Sequence, residues 1–149
     1  MGKTWILVAH EAGARLFAND GIGQGLALVE SIDHPKGRAR DRDIGSDRPG
    51  RSFRKNSGDP RRASMGQSES PHDRVVSDFS RELADKLRHG RVQNQFDRLV
   101  LVAPPRFLGL LRSALDAPTS QLVIGSIHKD LATSNETELI QHLGEVIII

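Results

Sequence analysis

The chain has 149 residues, no cysteine, and 21 Lys and Arg against 19 Asp and Glu, for a formal net charge of +2. The lack of cysteine excludes disulfides, a thiolate nucleophile and a Cys-ligated zinc site. No stretch approaches the ~20 apolar residues that cross a bilayer, and the short apolar run near the amino terminus lacks a signal-peptide pattern. We expect a soluble cytoplasmic protein with a single domain over residues 1–149.

Three strands are predicted before residue 35. Thr4–Ala9 is a continuous apolar run, which is typical of a strand buried on both faces. Ala14–Ala18 and Leu26–Ile32 are the second and third predicted strands, with a glycine-rich turn over 19–25 between them. Because the connections are short, we expect an antiparallel meander.

The positive charge of the chain is concentrated in one stretch, Pro35 to Arg74. It carries 11 of the 21 basic residues and 6 of the 19 acidic ones, so its net charge is +5 and that of the remainder is −3. Its large apolar side chains are only three: Ile44, Phe53 and Met65. So few cannot offset the entropy of ordering the backbone, and we predict a flexible basic loop over 35–70.

A long helix is predicted after the basic loop, capped by Ser70, with Pro71 at its first position and Gly90 at its end. Further along the chain, a fourth strand, a short helix and a fifth strand are expected at Phe96–Ala103, Phe107–Leu115 and Leu122–Ile127.

The carboxyl-terminal stretch predicts one more helix, opened by a capping box over Thr133–Glu136 and closed by Gly144. The apolar tail Val146–Ile149 is predicted to be either an added edge strand or an interface.

The order of elements, β-β-β-α-β-α-β-α, predicts the fold class α/β. Right-handed crossovers after a meander give one mixed five-stranded sheet with helices on both faces. We predict the spatial strand order 3-2-1-4-5, with strand 2 antiparallel to the rest.

Polar residues follow several predicted strands, and open sheets of this kind bind ligands beyond the carboxyl ends of their strands. We expect a ligand site on one rim, formed by His10, Arg106, His128 and Lys129. Arg106 would lie at a helix amino terminus, where backbone N–H groups favour anions. The alternative is that all four are ordinary solvated residues at the ends of elements.

Motifs for catalysis and for metal binding are missing. The six histidines lack the spacing of metal ligands, and no Ser-His-Asp set stands out. We therefore expect no metal, no cofactor and no enzymatic activity.

Four fragments, taken together, carry a family resemblance: Trp5–Ala9, Gly13–Phe17, Ala103–Arg112 and His128–Leu131. In this order they resemble the host attachment protein family, also called "protein required for attachment to host cells". The resemblance implies a domain similar to the middle domain of archaeal and eukaryotic peptide-chain release factors, with an RNase H-like sheet.

The release-factor domain carries a catalytic Gly-Gly-Gln in the loop before its long helix. At the similar place this chain has Met65-Gly66-Gln67, so the resemblance marks Gly66 and Gln67 as speculative catalytic residues. Met replaces the first glycine and disfavours the backbone conformations that glycine permits. The alternative is a chance Gly-Gln pair in a biased segment.

Two functions fit the sequence. The first is binding to RNA or the ribosome, with phosphate contacts from the basic loop: Arg48, Arg51, Arg54, Lys55, Arg61 and Arg62. The second is a protein-interaction module in a host-attachment, surface-attachment or stress pathway, in which the loop is a spacer.

Overall fold

A computed structural model of the protein describes residues 2–38 and 70–149. The strands are Thr4–His10 (β1), Gly13–Asn19 (β2), Ala27–Asp33 (β3), Arg98–Val102 (β4) and Val123–Ile127 (β5). The helices are Pro71–Val92 (α1), Pro105–Ala114 (α2), Ala117–Ser120 (α3) and Glu136–Leu143 (α4), and a short 3-10 helix spans Pro35–Arg38.

The strands form one sheet in the order β3-β2-β1-β4-β5. β2 is antiparallel to both of its neighbours, whereas β1, β4 and β5 run parallel. The predicted fold class and strand order are therefore confirmed. β1 and β4 lie at the centre, where Leu7 pairs with Leu101, because their apolar runs require burial on both faces.

Successive residues of β1 point to opposite faces of the sheet and enter two separate cores. On one face, Leu7 packs among side chains of α1 and α2, including Phe79 and Phe107. On the other face, Val8 lies in a core with Leu139 and Leu143 of α4. The sheet is therefore covered by helices on both sides, as predicted.

α1 begins as predicted, because the hydroxyl of Ser70 accepts a hydrogen bond from the backbone N–H of Asp73. The predicted end at Gly90 is wrong, since the helix continues to Val92. Gly90 has another role: a Cβ atom there would lie 2.5 Å from Cζ3 of Trp5. This glycine lets the indole ring pack directly against the helix backbone.

α4 has a capping box, but two residues later than predicted. Asn135 is the N-cap and exchanges hydrogen bonds with Glu138, so the predicted box over Thr133–Glu136 is wrong. Thr133 and Asn135 are both N-cap residue types and each is followed three residues later by Glu, so the sequence alone did not choose between them.

The apolar tail is not a strand. Val146, Ile147 and Ile149 are partly buried against the core under α4. The carbonyl oxygen of Ile149 accepts a hydrogen bond from the N–H of Gly23, with an N–O distance of 2.6 Å. The tail is therefore tied to the turn between β2 and β3.

The predicted flexible loop over 35–70 is ordered at its start. Pro35–Arg38 forms the 3-10 helix, and Gly37 within it is buried. Residues 39–69 lie outside the described part of the chain. Within the described part, no helix has the length and apolar character needed to cross a membrane.

Candidate functional site

A cleft of about 220 Å³ opens beyond the carboxyl ends of β1 and β4. Four separate stretches of the chain line it: His10 to Ala12, Gly37, Pro104 with Arg106 and Phe107, and Asp130. Open α/β sheets bind their ligands at this edge. The cleft is therefore the first place to look for a functional site among the described residues.

His10, the last residue of β1, forms one side of the cleft. Its Nδ1 lies 3.5 Å from Oδ1 of Asp130, in the segment that follows β5. An imidazole held in this way keeps its second ring nitrogen for another partner. The contact also ties the end of β1 to the segment after β5.

Hydrogen bonds from the side chain of Arg15, in β2, hold the backbone of the segment that contains Asp130. One guanidinium nitrogen of Arg15 donates to the carbonyl oxygens of Leu131 and Ser134, at 3.1 and 2.8 Å. The guanidinium also lies over the ring of Phe17, 5.4 Å from its centroid. Asp130 is thus positioned by an anchored stretch of backbone.

Glu11, in the turn between β1 and β2, contacts residues on both sides of segment 39–69, which lies outside the described part of the chain. Nε2 of His72, in the first turn of α1, lies 3.2 Å from Oε1 of Glu11. On the other border, Nδ1 of His34 lies 2.8 Å from the carbonyl oxygen of Glu11. Gly37 approaches so closely that a Cβ there would lie 1.8 Å from that same oxygen. Only glycine fits here, and residues on both borders of the segment contact Glu11.

Arg106, in the first turn of α2, closes the cleft toward α1. Its guanidinium donates to Oδ1 of Asp73 at 2.8 Å, and the Arg106 side chain is 66% exposed. This hydrogen bond, with a smaller contribution from Ser70, lowers the pKa of Asp73 below its ordinary value. Asp73 therefore stays ionised well into the acidic range.

The charge around the cleft is more negative than positive. Glu11, Asp73 and Asp130 contribute carboxylates, and Arg106 is already paired with one of them. Such a cleft suits hydrogen-bond donors better than a bare phosphate, which the carboxylates would repel. Within residues 2–38 and 70–149, no three His, Asp or Glu side chains are grouped as metal ligands would be.

A family model described as "Protein required for attachment to host cells" matches residues 5–143. The chain belongs to this family. The predicted resemblance is thereby confirmed. No curated protein matches the sequence.

Two solved structures show the same fold. An archaeal translation termination factor has a TM-score of 0.54 and 8% sequence identity, covering 97% of this chain and 35% of its own. A second structure, described as an archaeal protein, has a TM-score of 0.53 and 8% identity, covering 97% and 34%. The chain thus spans about a third of the length of either structure. The predicted likeness to release factors is confirmed at the level of the fold.

Two of the four fragments that carry the family resemblance line this cleft, and the other two lie next to it. The first ends beside His10, the second includes Arg15, the third contains Arg106 and the fourth contains Asp130. Residues far apart in the sequence of this family member are thus joined by hydrogen bonds or ion pairs at a single edge of the sheet.

The predicted rim residues divide into two pairs. His10 and Arg106 line the cleft. His128 is exposed and does not line it, and Nζ of Lys129 lies 3.3 Å from Nδ1 of His142 at the end of α4. The remaining predicted site residues lie outside the described part of the chain: Arg48, Arg51, Arg54, Lys55, Arg61, Arg62, Gly66 and Gln67.

Sequence reasoning missed several residues that build the cleft. Glu11 directly follows β1 and Asp130 lies three residues after the end of β5, so their positions near strand ends were a usable signal. Gly37, His72 and Asp73 gave no such signal, because their partners are distant in sequence.

Proposed function

We propose that this family member is a non-enzymatic binding domain for RNA or the ribosome, and that the basic segment 39–69 contacts phosphate. Eight of its residues are Lys or Arg and five are Asp or Glu, a net charge of +3, whereas the rest of the chain holds 13 basic and 14 acidic residues, a net charge of −1. Six basic residues are the expected contacts: Arg48, Arg51, Arg54, Lys55, Arg61 and Arg62.

The observation that carries the proposal is the double attachment at Glu11. His72 and the stretch from His34 to Gly37 fix the two borders of the segment to the same turn. The borders of the positively charged segment are thus held at one edge of a nearly neutral body, beside a cleft that does not itself favour phosphate. A polyanion would therefore contact the segment first.

The ribosome is the favoured source of RNA because of the fold. A solved structure with this fold is a translation termination factor, and this chain spans about a third of it. The shared part is one domain of a larger protein, so we propose an association with the ribosome and not the complete activity of that factor.

The salt dependence of binding to purified ribosomes tests the proposal. Replacing Arg51, Arg54, Arg61 and Arg62 by Ser should weaken binding and flatten the plot of log affinity against log salt. Each lost phosphate contact lowers the slope by about 0.7–0.9.

The control variant removes four charges from exposed helical positions by Arg→Gln substitution at Arg74, Arg81, Arg88 and Arg112. Its slope should change less than that of the segment variant. Equal slopes for the wild type and the segment variant would refute the proposal.

The family description favours a second candidate, a protein-interaction module in attachment. Affinity capture from lysate with and without RNase separates the two. Partners that disappear with RNase support RNA binding, and protein partners that persist support the module.

A further inference from the structure

We propose that two copies of this chain associate with two-fold symmetry through a surface at the end of the sheet opposite the cleft described above. The surface is defined by Ile22, Ile124, Ile148, Arg98 and Glu145, and we call it the isoleucine surface. It lies at the amino ends of β1 and β4 and is independent of the proposed RNA binding.

Three isoleucines of this surface are exposed to solvent. Ile22 is 73% exposed, Ile148 is 68% exposed and Ile124 is 45% exposed. All three line a single cleft of about 420 Å³, together with the partly buried Val146 and Ile147. Exposed apolar side chains that are grouped in this way are typical of an interaction site, whereas scattered ones are not.

Hydrogen bonds hold this surface in place. The carbonyl oxygen of Ile149 accepts hydrogen bonds from the N–H groups of Gly23 and Gly25. The side chain of the buried Asn19 bonds to Gly21 and Gly25 and fixes the turn that carries Ile22. These bonds indicate a preformed surface that loses little entropy on binding.

Two charges at the surface make it self-complementary. Arg98 and Glu145 both line the cleft and both are exposed, yet neither forms an ion pair with any residue of 2–38 or 70–149. In a two-fold interface, a residue i of one copy meets a residue j of the other, and j meets i. Arg98 of each copy can therefore face Glu145 of the other around a centre of isoleucines.

The neighbouring edge strand leaves room for a second copy. β5 is the last strand of the sheet, and its five residues include no charge and no proline, the usual protection of an edge. Ile124 has no partner residue in β4, because Leu99 pairs with Val123 and Val100 pairs with Gly125. It therefore lies at a bulge on the rim of the cleft.

Sedimentation equilibrium of the full chain over a wide concentration range tests the proposal. We expect a monomer–dimer equilibrium that Ile22→Asp and Ile148→Asp each weaken at least about tenfold, as is common for a packed interface anchor. Val92→Asp is the matched control, because Val92 is a comparably exposed aliphatic residue that does not line this cleft. It should leave the equilibrium unchanged.

Charge exchange gives a second measurement with variants that keep the apolar surface. Arg98→Glu and Glu145→Arg should each weaken the dimer, and the double variant should restore it, because the pairs then form with exchanged signs. A wild type that stays monomeric would overturn the proposal, as would species larger than a dimer. A dimer that neither set of variants weakens would also overturn it.

Discussion

The residues at the carboxyl ends of the central strands (the carboxyl edge) and those at their amino ends (the amino edge) differ in how their charges are paired. At the carboxyl edge, Glu11, His10 and Arg106 are each bound to a partner from another element. At the amino edge, the residues that line the cleft are largely apolar, and its Arg98 and Glu145 have no ion-pair partner among the described residues. The comparison teaches that these side chains of the carboxyl edge have their partners within the chain, whereas the charges of the amino edge are suited to a partner from outside.

Both edges depend on a rigid sheet centre. The substitution with the largest expected effect on stability is therefore located there. Leu101 is fully buried in β4 and pairs with Leu7 of β1. Leu101→Ala should lower the free energy of unfolding by about 2–5 kcal/mol, through lost burial and a residual cavity. Urea denaturation measures it. A loss below about 0.5 kcal/mol, which is typical of surface positions, would contradict the central placement of β4.

A pair of glycines sharpens the contrast between the edges. Gly37→Ala at the carboxyl edge should cost about 1–3 kcal/mol, because the new Cβ collides with the backbone of Glu11. At the amino edge, Gly23 has φ +83 and no atom within 4 Å of an added Cβ. Gly23→Ala should cost only the backbone strain, about 1 kcal/mol.

Denaturation of both variants beside the wild type measures this contrast. A larger loss for Gly23→Ala than for Gly37→Ala would mean that the close approach at Glu11 does not constrain the fold. A fall in ribosome binding for Gly37→Ala would connect that attachment to the proposed function.

A smaller effect is expected from the ion pair of Arg106 and Asp73. Arg106→Gln removes the hydrogen bond that depresses the pKa of Asp73, so this pKa should rise toward 3.8. Because the folded-state pKa lies below its ordinary value, the pair stabilises the fold above about pH 4, and its contribution is lost as pH falls through the folded value.

Carboxyl carbon chemical shifts during an NMR titration measure the pKa of Asp73 directly. Arg112→Gln, an exposed change in the same helix, should leave it where it is. An unchanged titration in Arg106→Gln would show that the contact is not maintained in solution.

The smallest expected effect is on peptide release. We expect neither the wild type nor Gln67→Ala to hydrolyse peptidyl-tRNA on stalled ribosomes, because Met65 replaces the first glycine of the release-factor tripeptide. Release by the wild type and its loss in Gln67→Ala would contradict the non-enzymatic proposal. It would also make the carboxyl edge, where the segment is attached, the catalytic edge.

The sequence predicted the fold better than the site, and for a physical reason. β1 and β4 are buried on both faces, so their apolar runs are continuous and visible in the sequence, and short connections limit the strand order. The site depends on contacts between distant residues. Glu11 and His72 are 61 positions apart, and no local pattern reports that they meet.

Some local sequence patterns are compatible with more than one structural role. A glycine such as Gly90 is typical of a helix end, but here the ring of Trp5 packs against it. Lys129 follows a parallel strand like a site residue, but its ammonium group reaches the end of α4 at His142. In both cases a tertiary neighbour decides the role of the residue.

The attachment of both borders of segment 39–69 to the single turn at Glu11 has an evolutionary consequence. Because the fold itself brings the borders together, the length of the chain between them is weakly constrained, and a doubling costs only about 0.6 kcal/mol of closure entropy. Insertions, deletions and changes of composition there should accumulate without disturbing the sheet. Segment 39–69 is therefore a natural position at which to graft foreign sequences onto this fold.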